Sequence, residues 1–217
     1  MNDEVAGAVE AAITHANGTA PEAQALACDI ADYSSCRSVV RDVMERHGAL
    51  DILVNCAGIV QSQGLMDIGQ ADLDYVVDVN LKGAFNLCKC VLEIMVPQGS
   101  GSIVNLASVA AQRGGGLVGG AHYAASKGGV ISLTRSIARE FGVAGVRANV
   151  VCPSMTDTAM LDGNVSPEQY QQVIDNVPLR RAGRAIDVAG ACLFLASDLA
   201  AYVTGATVDV NGGSHIH

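Results

Sequence analysis

The chain predicts an α/β fold, a doubly wound parallel sheet in one domain with helices on both faces. Three observations carry that expectation. Short apolar runs of strand length alternate with longer stretches of helical period along all 217 residues, the pattern of a buried parallel sheet. Half of the residues are hydrophobic, 16% are charged and 24 are glycine, which suits a covered sheet with tight turns and does not suit a disordered or fibrous chain. The length can bury a substantial single core, and no repeat, low-complexity tract or linker divides it.

Taken in order, residues 3–16 carry Val5, Val9, Ala12 and Ile13 at helical spacing, and Asn17-Gly18 ends that helix. Residues 24–30 (QALACDI) read as a short apolar strand. Ser34 or Ser35 caps the next helix, whose inward positions are Val39, Val40, Val43 and Met44, and Gly48 closes it. Residues 50–54 are a continuous apolar strand running into Asn55-Cys56-Ala57-Gly58. A long helix follows over 70–96, with Tyr75, Val76, Val79, Phe85 and Leu92 as apolar positions. Strand 103–107, a glycine-rich loop at 114–120 and helix 122–141 come next. Strand 147–152 is stopped by Pro153. Residues 154–176 read as a mobile polar segment with a short helix after Ser166-Pro167. Helix 187–196 and strand 206–210 complete the alternation.

Composition also excludes some functions. A net charge of −9 argues against an electrostatic footprint for nucleic acid or anionic membrane. No apolar run approaches a membrane span, and the start, Met1-Asn2-Asp3-Glu4, lacks the basic residues of a signal peptide. The seven cysteines form no Cys-x-x-Cys pair and read as small buried hydrophobes in a reducing cytoplasm. No metal ligand set is expected.

The stretch with chemical content is 108–127, SVAAQRGGGLVGGAHYAASK. Tyr123 and Lys127, four apart on a helix, lie one above the other. There an ammonium can favour the phenolate, drawing a pKa of about 10 towards working pH and making a tunable acid/base. The preceding strand delivers Ser108 at its carboxyl end, where open α/β sheets place their chemistry.

From about residue 24 onward these landmarks resemble the short-chain dehydrogenase/reductase family, most like its ketoacyl-reductase and sugar or polyol dehydrogenase members. In family order they are Asp29 in Cys-Asp-Ile, Asn55-Cys56-Ala57-Gly58, Asn80, Ser108 with Tyr123 and Lys127, Pro153 to Thr158, and Asn211-Gly212-Gly213. The resemblance implies a Rossmann-like sheet, NAD or NADP as cofactor, a small-molecule alcohol or ketone substrate, and a homotetramer or homodimer. It implies that Tyr123 is the acid/base, that Ser108 stabilises the same substrate oxygen, that Lys127 tunes Tyr123 and binds the nicotinamide ribose, and that Asn80 holds a proton-relaying water. Asp29, Ile30, Asn55, Ala57, Gly58, Tyr123, Lys127, Pro153, Thr156 and Thr158 would contact the cofactor. Asp29 is equally suited to capping its own turn.

The departures shape what is expected. The family's first strand, Thr-Gly-x-x-x-Gly-x-Gly turn and second strand have no counterpart here, so the sheet is expected to be N-terminally incomplete, from an incomplete version of a longer gene product. That turn is where backbone N–H groups and a helix N-terminus hold a pyrophosphate, so impaired cofactor binding is expected unless another segment fills the gap. Strands 24–30 and 50–54 would then either close up and pair or leave a slot between them. A cofactor-free remnant acting as an association partner is the alternative function. Cys56 stands for asparagine and Ser154 for glycine. The interval from Ser108 to Tyr123 is longer than usual, so the glycine-rich loop is expected to bulge. Arg113 is either solvated or a contact for an anionic substrate. His122 reads as a helix-start residue, and His215 and His217 as a terminal tail.

Overall fold

Runs such as Ser102-Ile-Val-Asn-Leu106 and Val146-Arg-Ala-Asn-Val-Val-Cys152 have no polar face to turn to water, and they form the middle of the sheet. The computed structural model describes residues 24–116, 118–158, 161 and 165–217. The expected helix at 3–16 lies outside them. The elements are α1 (Tyr33–His47), β1 (Ile52–Asn55), α2 (Gln70–Val77), α3 (Gly83–Gln98), β2 (Gly101–Leu106), α4 (Val109–Arg113), α5 (Ala121–Phe141) and β3 (Val146–Pro153). They continue through β4 (Thr156–Asp157), α6 (Pro167–Asp175), β5 (Gly183–Arg184), α7 (Ala185–Ala196) and β6 (Thr207–Val210).

Among the described residues four strands pair in parallel in the order β1-β2-β3-β6. Alternate residues point to opposite faces. Ile103, Ala148, Val150 and Cys152 meet α1, α3 and α5 on one face, through Cys36, Val40, Cys88, Val91, Met95, Val130 and Ile137. Val104 and Val151 meet α7 on the other, through Cys192 and Leu195. Arg147 on β3 ties α7 to the sheet by donating to the carbonyls of Leu195 (2.8 Å) and Ser197 (3.2 Å) at that helix's last turn, the end that favours a cation.

Residues 24–30 were expected to be a strand and are not. Among the described residues no ladder forms there, and β1 pairs only with β2. A strand needs a neighbour for its backbone groups. Here the carbonyl of Ile30 instead accepts from the Asn86 amide at 2.9 Å, and the Ile30 side chain packs where a β-carbon on Gly83 would intrude. The expected choice between closing up and leaving a slot presupposed that strand. Among the described residues β1 has β2 as its one neighbour, Leu53 is packed on the core, and Ile52 and Val54, on the opposite face of β1, are 51% and 40% exposed.

Three further differences are local. The long helix expected over 70–96 is interrupted at Asp78–Lys82 by a π-helical turn. A short helix, α4, and a parallel pair, β4 with β5, were not anticipated. That pair, with the Tyr170 hydroxyl donating to Asp157 at 2.9 Å, orders part of the 154–176 segment expected to be mobile. The helix after Ser166-Pro167 is as expected. Ser166 and Gln169 form a reciprocal cap with Pro167 in the first turn.

Candidate active site

Tyr123 and Lys127 sit in the first two turns of α5, side by side as their spacing requires. Ser108 lies just past the carboxyl end of β2 as the N-cap of α4, its hydroxyl accepting from the Ala110 N–H at 3.1 Å. Lys127 Nζ donates to the Leu106 carbonyl at 2.9 Å, joining α5 to the end of β2. The glycine-rich loop closes the arrangement. Gly120 N–H donates to the Gln61 carbonyl at 2.7 Å and Gly119 N–H to the Ser62 hydroxyl at 3.2 Å, so the longer interval is folded back onto the 61–63 loop. His122 starts the helix as expected, with Nε2 3.0 Å from Gln61 Oε1.

The electrostatics differ from the expectation that Lys127 draws the phenol down. Burial pushes the Tyr123 phenol up, and the Ser108 hydroxyl opposes that rise by favouring the phenolate. Burial also holds the Lys127 ammonium at about 8, with the Cys56 and Cys152 thiols working the other way. Desolvation acts on both members of the pair and favours the neutral form of each. In this structure burial is the largest cause of both shifts.

Asn80, in the π-helical turn, is buried. Its carbonyl accepts from Ile59 N–H at 2.8 Å, and its amide donates to the Ile59 carbonyl at 2.9 Å and to the Ser126 hydroxyl at 3.1 Å. Ser126 in turn donates to the Tyr123 carbonyl at 2.8 Å. Ser126 was not singled out from sequence. A serine one turn from Tyr123 in an otherwise small-residue helix was the available signal, because such a hydroxyl back-bonds to its own helix.

A cavity of about 1060 Å³ opens over these residues. Ser108, Tyr123, Lys127, Gly58, Pro153, Thr156 and Thr158 all line it. Asn80 lies against Gly58 just beneath, since a β-carbon on Gly58 would stand 3.2 Å from Asn80 Oδ1 and 3.0 Å from Lys127 Nζ. Asp29, Ile30, Asn55 and Ala57 are not among the lining residues. Asp29 is engaged in its own turn, accepting from Ala31 N–H at 3.0 Å. The 154–176 segment, expected from sequence to choose the substrate together with the 112–121 loop, contributes Gln172, Val173 and Asn176 to the lining. Sequence reasoning did not find the α7 wall (Val188, Cys192, Leu193), because helical period does not say which gap a helix will border.

These residues fit one end of a nicotinamide dinucleotide. The bare backbone of Gly58 lets Lys127 and Asn80 pack close against the cavity floor, and Asn55 Nδ2, outside the lining, is buried without a partner at the end of β1. Among the described residues no glycine turn runs from a strand into a helix N-terminus to hold the pyrophosphate.

The chain is similar to known proteins over most of its length. Residues 2–215 match the family model described as enoyl-(acyl carrier protein) reductase. An uncharacterized short-chain type dehydrogenase/reductase, y4mP, of Sinorhizobium fredii is 46% identical over 192 residues, 88% of this chain and 76% of that protein. The 3-oxoacyl-[acyl-carrier-protein] reductase FabG of Staphylococcus aureus is 38% identical over 207 residues, 95% of this chain and 83% of its own. Among solved structures, a Sinorhizobium meliloti protein assigned as a short-chain alcohol dehydrogenase superposes with a TM-score of 0.88 at 36% identity, covering 96% of this chain and 81% of that one.

Proposed function

Because the chain belongs to the short-chain dehydrogenase/reductase family, an oxidoreductase family, we propose that it interconverts a secondary alcohol and a ketone with NAD or NADP. The observation that carries this reading is the convergence of Ser108, Tyr123 and Lys127 on one cavity wall, with Lys127 anchored to the end of β2.

A bound nicotinamide supplies the hydride to the substrate carbon, or accepts it in the reverse direction. Gly58, Lys127, Pro153, Thr156 and Thr158 would hold its ribose and ring end. The protein's own work is proton handling and positioning. Tyr123, whose phenol burial keeps protonated, donates its proton to the carbonyl oxygen as that oxygen gains charge. Ser108 hydrogen-bonds the same oxygen. In the oxidative direction Tyr123 must first lose its proton, which the Ser108 hydroxyl and a charged Lys127 both favour. Asn80 holds the Gly58-Ile59 loop against Lys127 and so keeps the cavity floor in register.

The substrate is a small carbonyl compound or its alcohol, and assembly is through the exposed α3–α5 face, where Phe85, Leu92, Leu133 and Phe141 line a trough of about 550 Å³. Among the described residues no helix is long and apolar enough to cross a membrane. A second reading, an association partner that does not bind cofactor, is favoured by the single ladder that β1 makes among the described residues and by its exposed Ile52 and Val54.

Fluorescence titration of the purified chain with NADH and with NADPH separates the two. Saturable binding of one supports the enzyme and identifies its coenzyme. Failure of a cooperatively folded chain to bind either would move the conclusion to the association partner.

A further inference from the structure

The chain carries 22 acidic residues and a net charge of −9, yet among the described residues no carboxylate lines the cavity. The charged side chains that do are both cationic, Lys127 and Arg113. Lys127 is buried and committed to the Leu106 carbonyl. Arg113 is different. It ends α4, the helix that Ser108 caps, and is exposed at the cavity wall without a hydrogen-bond or ion-pair partner among the described residues. Its neighbour Gln112 faces elsewhere, donating to Asp209 at 2.8 Å. A guanidinium offers five N–H donors in a fork that matches a carboxylate or phosphate. Here it stands on the same rigid helix as the hydroxyl that addresses the reacting oxygen. Five residues of helix separate the two by about 7 Å along the axis.

From this juxtaposition we propose that Arg113 is a specificity residue that selects an anionic substrate, a ketone or secondary alcohol whose carboxylate lies a few bonds from the reacting carbon. This rests on the reading of the Ser108–Tyr123 wall as the substrate site. The anion sits on Arg113 while the carbonyl oxygen faces Ser108 and Tyr123. The apolar remainder of the wall, Val118, Val173 and Val177, covers the carbon skeleton between them. The same guanidinium could meet a cofactor phosphate instead, and the test separates those sources.

The experiment is ligand-observed NMR titration of the purified chain with 4-oxopentanoate and with uncharged 2-pentanone, for wild type, Arg113→Gln and Arg113→Lys. Arg113 is on the surface, and unchanged thermal unfolding of the variants checks that the fold is kept. Expected is at least a tenfold preference of wild type for the keto acid, reduced to near one in Arg113→Gln and partly retained in Arg113→Lys, with 2-pentanone unaffected. Equal affinity of wild type for the two ketones, or a preference that survives in Arg113→Gln, overturns the proposal. So does a loss of inorganic pyrophosphate binding in Arg113→Gln without a change for 4-oxopentanoate, which would place a cofactor phosphate there. Turnover of the two ketones with NADH or NADPH is read separately. Anion preference without turnover would sink the reductase and leave Arg113 as an anion-recognising residue.

Discussion

The backbone of Gly119 packs against the ring of Tyr123: a β-carbon on Gly119 would stand 2.5 Å from Tyr123 Cδ1. Gly119 also has φ +100°, a conformation that residues with a side chain rarely adopt. The loop that precedes α5 thus packs against the Tyr123 ring where no side chain on Gly119 would fit. Gly119→Ala is therefore expected to cost about 1–3 kcal/mol of stability and to displace the Tyr123 ring. Urea unfolding reads the first effect. A fall in kcat larger than any rise in KM reads the second, and an unchanged kcat would show that the ring position is set elsewhere.

Tyr123→Phe removes the hydroxyl and leaves the packing of the ring. On the proposed mechanism it lowers kcat roughly 10²–10⁴-fold with little change in coenzyme affinity. Steady-state kinetics beside an NADH or NADPH titration tests both parts. Retention of more than a tenth of wild-type kcat would mean that another group delivers the proton.

Asn80→Ala leaves both backbone groups of Ile59 without the partners they have now. Ile59 is half-buried, so each group left without a partner is placed at the low end of the range, about 1 kcal/mol. A loss of at least about 2 kcal/mol is expected in chemical denaturation, before any effect on proton transfer. An Asn80→Ala chain as stable as wild type would assign the residue to chemistry alone.

Lys127 makes stability depend on pH with a definite sign. Its folded pKa, about 8, lies below the ordinary value of 10.5. Below about pH 8 both states carry the proton, and the folded chain bears the full cost of the buried charge. Between about 8 and 10 the unfolded chain holds more protons, so this group's contribution to stability improves as pH rises. Thiols such as Cys88 and Cys152, pushed up to about 12, act oppositely above pH 9. The comparison that isolates Lys127 is therefore wild type against Lys127→Met. The stability difference is expected to move in favour of wild type by about 2 kcal/mol between pH 7 and pH 10. A constant difference would mean that Lys127 titrates normally.

Much of this site was legible in the chain. Helical spacing put Tyr123 beside Lys127, and strand 103–107 delivered Ser108, because both relations are local and follow from element geometry alone. The strand expected at 24–30 failed for the complementary reason. Pairing is a property of two segments, and no described strand lies beside this one, so its backbone turned to Asn86. The direction of the Tyr123 shift was missed because spacing sets how near a charge is, whereas burial sets whether that charge survives.

By itself the sequence determined the alternation of strands and helices, the parallel sheet and the Ser108, Tyr123 and Lys127 set, since each rests on periodicity or on residues close in the chain. Only the tertiary structure decided which residues wall the cavity, that the Asn80 amide clamps Ile59, and that β1 keeps one face uncovered. Those are outcomes of packing between distant segments, where desolvation and close contact act on groups that no local pattern brings together.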